Sequence, residues 1–294
     1  MPRDSMCHRS GVAQVPPNHC MQPTPPPVIK FACANLSPVW CWLLDGFSGR
    51  HLRQRSETQR MDEAKRRYLS RLPDLPRWVE TRDLLLWEGS KLLENPSRSG
   101  FVVWSTEDGS GSVVGDPEPD ALAVAAGDVP ELLAFTENID RVRFLLPEFE
   151  AELGTVFSAP EMLPPAPPHR CRTISLSEIA AQDHLPDDLL AQLSDVAEYG
   201  VPVVAAFDGV LPVAFAYVAS ETESLWDVSI DTIPSHRRRR YAGAAALHLM
   251  RGMREKGKSA VWGALESNHA SVNLARQLGF VESDRLWVLT RSAT

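Results

Sequence analysis

Between Ser235 and Gly243 the chain reads Ser-His-Arg-Arg-Arg-Arg-Tyr-Ala-Gly, four consecutive arginines followed by small residues. Where a strand turns into a helix, such a stretch is an anion site. The first amides of a helix have no partner within it and lie at the positive end of its dipole. Ala242, Gly243 and Ala244 let backbone approach a ligand closely, and a pyrophosphate is the ligand this chemistry suits. A second block follows, Asn268-x-x-Ser271-x-x-Leu274-x-x-x-Leu278-Gly279-Phe280. Taken singly, an arginine run is a solvated surface, Asn268 a helix N-cap and Gly279 a helix-end residue. Their order along the chain makes them one unit.

The elements that must position these blocks follow from periodicity. Leu185 to Tyr199 has a helical pattern, Val201 to Phe207 and Pro212 to Ala219 are strands about an Asp208-Gly209 turn, and Trp226 to Ile233 is a third strand. Arg239 to Lys256 is a helix with Ala245, Ala246, Leu249, Met250 and Met253 on one face. Ser259 to Leu265 is a fourth strand, Asn268 to Leu278 a helix, and Trp287 to Thr290 a last strand. Upstream, Arg77 to Leu93 reads as helix, Gly100 to Trp104 with Ser112 to Gly115 as a hairpin, and both Asp128 to Phe135 and Ile139 to Leu153 as helical or mixed. No internal sequence repeat stands out.

In this order the blocks resemble the GNAT acetyltransferase superfamily over about residues 172–290. Pro234-x-x-Arg237-Arg-Arg-Arg-Tyr-Ala242 is similar to the family's pyrophosphate loop, Arg/Gln-x-x-Gly-x-Gly/Ala, with Arg237 in the first place and Ala242 in the last. Arg240 stands where the pattern has glycine, which implies a backbone that avoids positive φ there or a weakened site. The Asn268 block is similar to the one in which an asparagine opens the last helix near the pantetheine arm. Trp226 to Thr232 and Val261 to Asn268 resemble a bacterial GNAT group with a less regular N-terminal half.

The resemblance implies an α/β (α+β) fold, a mixed and mostly antiparallel sheet flanked by helices and splayed between the third and fourth strands of the C-terminal half. It implies acetyl-CoA as cosubstrate and an amine acceptor, a small molecule or a protein or peptide, that attacks the thioester directly. The coenzyme is then expected against Ile230, Thr232, Arg237, Arg238, Arg239, Arg240, Tyr241, Ala242, Gly243, Asn268 and Ser271. A non-catalytic acyl-CoA-binding or partner-binding module on the same fold is the alternative. Direct attack calls for a base, and for an acid near the leaving thiolate. Glu223 is the first candidate base, for its reach at the strand entrance, and Asp227 the second, because Trp226 can desolvate it. Alternation puts Asp227, Ser229 and Asp231 on one face of the strand and Trp226, Val228 and Ile230 on the other, so the acids could equally be its polar side. Asp231 and Glu266 remain as further options. Ala275 occupies the place of the family's usual tyrosine acid, which leaves Tyr217 or a water for that role.

Composition bounds the rest. Hydrophobic content of 44% and charged content of 23% over 294 residues are those of a soluble globular protein. A formal net charge of −8 argues against a nucleic-acid surface. No apolar run reaches the ~18 residues of a membrane helix, and the first residues lack a signal pattern. Cys7, Cys20, Cys33 and Cys41 crowd one end of the chain without the paired spacing of a structural zinc site. A reducing, cytosolic setting without metal is expected. Residues 1–60 lack periodicity and are expected to be a disordered extension, with Met61 as the initiator. Residues 61–158 are expected to form an α/β subdomain, a degenerate GNAT-like copy walling the acceptor site. Residues 159–171, rich in proline, form a linker, and residues 172–294 the acetyltransferase domain.

Overall fold

A computed structural model describes residues 63–95 and 100–291; the extension over residues 1–60 and the start at Met61 lie outside the described residues. The first helices are α1 (Glu63–Arg71) and α2 (Val79–Leu86), joined through a 3-10 turn at Pro76–Trp78. Three antiparallel strands follow, β1 (Lys91–Asn95), β2 (Gly100–Ser105) and β3 (Ser110–Val114), then α3 (Pro119–Asp128), β4 (Glu131–Phe135), α4 (Ile139–Leu145) and β5 (Phe149–Ser158). Residues 159–169 hold no helix or strand. The same succession then recurs behind one additional strand. After β6 (Arg170–Ile174) come α5 (Leu176–Ala180), α6 (Asp187–Glu198), antiparallel β7 (Val203–Asp208), β8 (Leu211–Glu221) and β9 (Leu225–Thr232), α7 (Tyr241–Glu255), β10 (Ser259–Leu265), α8 (His269–Gln277) and β11 (Val281–Arg291).

All strands among the described residues join one sheet in the order β1-β2-β3-β4-β11-β5-β10-β9-β8-β7-β6. The sheet is mixed and mostly antiparallel, as expected. Its parallel ladders are two, β3 with β4 and β9 with β10, and each runs for three residue pairs. At the centre the halves exchange their last strands. β11 lies against β4, from Leu286 opposite Phe135 to Thr290 opposite Glu131, and β5 lies against β10, from Val261 opposite Ser158 to Leu265 opposite Gly154. β5 and β11 pair with each other along their lengths.

Local chemistry explains where the elements differ from their sequence reading. The helix expected from Arg77 to Leu93 stops at Leu86, and a turn at Glu88 and Gly89 leads into edge strand β1, which takes Leu92 and Leu93. The mixed pattern after Ile139 resolves into short α4 and strand β5, whose neighbours come from the other end of the chain. On one face Leu122, Ala125 and Ala126 of α3 and Val142 of α4 pack with Val102, Val113 and Leu289. A larger core gathers Leu193 and Val196 of α6, Ala245, Leu249 and Met250 of α7, and Phe215, Trp226 and Trp262 of the sheet.

Polar contacts dock the first helices onto the β8–β9 turn. Buried Arg82 donates to the Leu69 and Leu72 carbonyls and at 2.7 Å to Glu223. Asp74 accepts from the Thr222 hydroxyl at 2.7 Å and from the Ser224 amide at 2.9 Å, and Asp83 from the Glu221 amide at 3.0 Å. Burial of the Asp74 carboxyl opposes its ionisation, but the hydrogen bonds from Ser224 and Thr222 win and hold it below the usual carboxylate range.

Candidate coenzyme and acyl-transfer site

Past Asp227 and Val261 the ladder between β9 and β10 ends, and the strands diverge. A register shift in β8 between Val218 and Ser220 bends the β8–β9 pair beside this point. Asp227 itself, 3% exposed, reaches across the apex and accepts from the Gly263 amide of β10 at 3.3 Å. Beyond the apex β9 keeps only β8 as a neighbour. The Ile233 amide donates to the Val213 carbonyl at 3.0 Å, so alternation turns the amides of Ile230 and Thr232 away from β8 and into the splay.

At the open end of the splay lies the basic turn. Its backbone is left-handed twice, with φ of 61° at Arg238 and 69° at Arg240. The sequence leaves two outcomes open at Arg240, and the structure corrects the first: the backbone does not avoid positive φ there. Each non-glycine residue in this region costs about 1–2 kcal/mol, and such strain persists only where the surroundings impose it. Three groups fix the turn, two of them from outside it. Asp208, at the end of β7, is 3.1 Å from Arg239 and 3.4 Å from His236, and it lies beside the Tyr241 hydroxyl, whose pKa is raised chiefly by burial. His169 stacks on the Tyr241 ring at 4.1 Å and bonds the Arg239 carbonyl at 2.9 Å. Arg237 donates back to the Thr232 carbonyl at 3.2 Å.

The turn thereby divides its arginines. Arg239 is held by Asp208, whereas Arg238 and Arg240 are exposed and make no side-chain bond within the described residues. No side chain caps α7, so its first amides, from Tyr241 to Gly243, stay open to an anion. The Tyr241 ring is buried. Gly243 faces α8, where a Cβ would meet Leu278 at 3.5 Å and Leu274 at 3.7 Å, ordinary packing distances.

The remaining sequence candidates have structural partners. The Asn268 side chain accepts the Ser271 amide at 3.1 Å and caps α8, while the Ser271 hydroxyl accepts from Trp262 at 2.9 Å. Glu223 sits in the exposed β8–β9 turn with its carboxylate on Arg82. Ala275 is fully buried, and Glu266 is exposed at the end of β10, 3.4 Å from the Thr155 hydroxyl.

A sequence model of the GNAT acetyltransferase family matches residues 175–289. Those residues form a GNAT acetyltransferase domain. No curated protein matches the chain. Among solved structures, a GCN5-related N-acetyltransferase-like protein from Streptococcus suis aligns with 79% of this chain and 100% of its own, at 14% identity and a TM-score of 0.58. A GCN5-related N-acetyltransferase from Kribbella flavida covers 80% of this chain and 98% of its own, at 12% identity and a TM-score of 0.51. A tandem GNAT protein from the clavulanic acid biosynthesis pathway covers 79% of this chain and 96% of its own, at 12% identity and a TM-score of 0.50. These likenesses are of fold, and they extend well upstream of the GNAT domain.

One carboxylate in the GNAT domain stands apart. Asp231 lies on β9 opposite Phe215, on the face that carries Ser229 and Tyr217. The Tyr217 hydroxyl donates to it at 3.1 Å and itself accepts from Gln192 of α6. Burial pushes the Asp231 carboxyl up to about 6, with Asp188 adding to the rise and Tyr217 and Arg237 opposing it. Its side chain is nevertheless only half-buried. Strand alternation made that face visible in the sequence, but nothing there told Asp231 from Asp227. Among the described residues no three His, Cys, Asp or Glu side chains converge as a metal would need, and no helix is long and apolar enough to cross a membrane.

Proposed function

We propose that the chain transfers the acetyl group of acetyl-CoA to an amine, by direct attack of the amine on the thioester. The observation that carries this reading is the coincidence of an open splay between β9 and β10 with the uncapped, arginine-flanked start of α7. A pyrophosphate at the free amides of Tyr241, Ala242 and Gly243, with Arg238 and Arg240 beside it, leaves a pantetheine arm to run along β9. There the inward amides of Ile230 and Thr232 are donors for its carbonyls and for the thioester oxygen. The cysteine pattern suits a cytosolic protein.

The first half, on this reading, is a second copy of the same unit that does not hold coenzyme. Its β3–β4 ladder also ends after three pairs, but the Asn138 amide crosses the gap, donating to the carbonyls of Val113 at 2.9 Å and Gly115 at 3.1 Å while accepting the Phe135 amide at 2.8 Å. The turn after β3 reads Gly-Asp-Pro-Glu-Pro, acidic where the second half is basic. This copy serves as a support for the GNAT domain.

Ala275 in place of a tyrosine favours one second reading, a module that binds acyl-CoA and does not turn it over. Two measurements decide. Calorimetry with acetyl-CoA should show binding that Ala242→Val weakens by about 1–3 kcal/mol, as overpacking does; unchanged affinity in a folded variant removes the loop assignment. Thiol release from acetyl-CoA with a panel of primary amines should then separate enzyme from binder.

A further inference from the structure

Resting on the acetyl-transfer reading, we propose that Asp231 is the base that takes the proton from the acceptor ammonium, held in place by Tyr217 and Gln192. Glu223 does not suit the role: its carboxylate is paired with Arg82 and faces outward from the β8–β9 turn. Asp227 does not suit it either, since it is 3% exposed and spends an oxygen on the Gly263 amide that closes the apex. Asp231 lies beyond the apex, on the stretch of β9 that has lost β10 as a neighbour. It is half-buried, so it is partly desolvated and still reachable.

The groups around it set its basicity. On β8 the Tyr217 hydroxyl donates to Oδ2 at 3.1 Å, which leaves Oδ1 for the amine. Gln192, 3% exposed on α6, donates to the Tyr217 oxygen, so the phenol proton must point at the carboxylate. Asp188, at the start of α6, raises the carboxyl, and Arg237, on the turn, lowers it. The balance near 6 leaves Asp231 ionised at neutral pH yet a much better proton acceptor than an ordinary aspartate.

The chemistry balances without another reactant. One ammonium proton passes to Asp231, and the freed nitrogen pair forms a bond to the thioester carbon. Collapse breaks the carbon–sulfur bond, the sulfur leaves with that electron pair, and the second proton of the attacking nitrogen neutralises it. Asp231 then returns its proton to solvent. Tyr217 and Gln192 are positioning residues.

The test uses the full chain, acetyl-CoA and the best amine of the panel. Asp231→Asn should lower kcat by roughly 10²–10⁴-fold, the range of general base catalysis, with acetyl-CoA affinity by calorimetry unchanged. Tyr217→Phe removes a donor to the carboxylate, so the acidic limb of kcat/KM should move to higher pH, a change that loosened packing alone does not produce. Near-normal turnover in a folded Asp231→Asn, or an acidic limb that stays put in Tyr217→Phe, overturns the assignment. A wild-type protein that binds acetyl-CoA and releases no thiol with any amine instead overturns the transfer reading, and this role with it.

Discussion

At the scale of single residues, Arg240 shows two demands in conflict. Its left-handed backbone suits glycine, while its free guanidinium suits an anion. Arg240→Gly should therefore move stability and binding in opposite directions. Relief of about 1–2 kcal/mol of backbone strain, set against about 0.5–1 kcal/mol of added chain freedom, predicts a gain of up to about 1.5 kcal/mol in urea unfolding. Loss of the cation predicts an affinity for acetyl-CoA roughly tenfold weaker at low salt. Glycine would have been the natural reading of this position, and the arginine concealed its conformation: residue type reports what is tolerated, not what neighbouring contacts impose. Asp74 makes a second prediction. Its folded-state pKa is depressed, so its contribution is present above the ordinary carboxylate range and is lost as pH falls through the folded value. Asp74→Asn should cost stability near neutral pH, and the gap to wild type should close in unfolding curves taken in acid.

At the scale of elements, the two splays show how one side chain decides whether a gap stays open. Asn138 and Asn268 each stand three residues past the strand that precedes their helix, β4 and β10 respectively. Asn268 turns forward to cap α8; Asn138 turns back and joins three backbone groups across the gap. Asn138→Ala strands buried backbone groups, and it should cost at least the ~1–3 kcal/mol of one such group while acetyl-CoA affinity stays put. Calorimetric affinity and thermal unfolding on one preparation check both halves of that statement. Elements were legible where one period dominated. The hairpin of β2 and β3, strands β7 to β10 and helices α6 to α8 all follow from alternation or from an apolar stripe. β5 was not, although Phe149 to Leu153 alternates apolar with acidic residues: the run from Ile139 to Leu153 mixes two periods, and the strand takes its neighbours from the far end of the chain. The expected likeness of the halves has no internal sequence repeat behind it; it rests on the order of elements.

At the scale of the whole molecule, the exchanged strands make the halves interdependent. Residues 159–294 alone would lack β5 and leave the edges of β10 and β11 unpaired, apolar and prone to association. That fragment should fail to reach a cooperative fold, as read by circular dichroism and size-exclusion chromatography, whereas a fragment from residue 63 onward should fold; a cooperatively melting monomer of residues 159–294 would refute this. Periodicity cannot reveal such an arrangement. It reports which face of a strand is buried and is silent on which strand lies beside it.

The exchange also sets a timetable for synthesis. A growing chain exposes β4 long before the ribosome has made Leu286 to Thr290, its partners on one side. Nascent domains ordinarily close as they emerge, first one and then the next. Here the first half must wait with its central edge open, and so must β5, until the second half has been delivered. Such an edge is where chaperones, or a neighbouring nascent chain, would engage. Slowing translation between the halves should therefore raise aggregation in this protein, where in an ordinary two-domain chain it would relieve it.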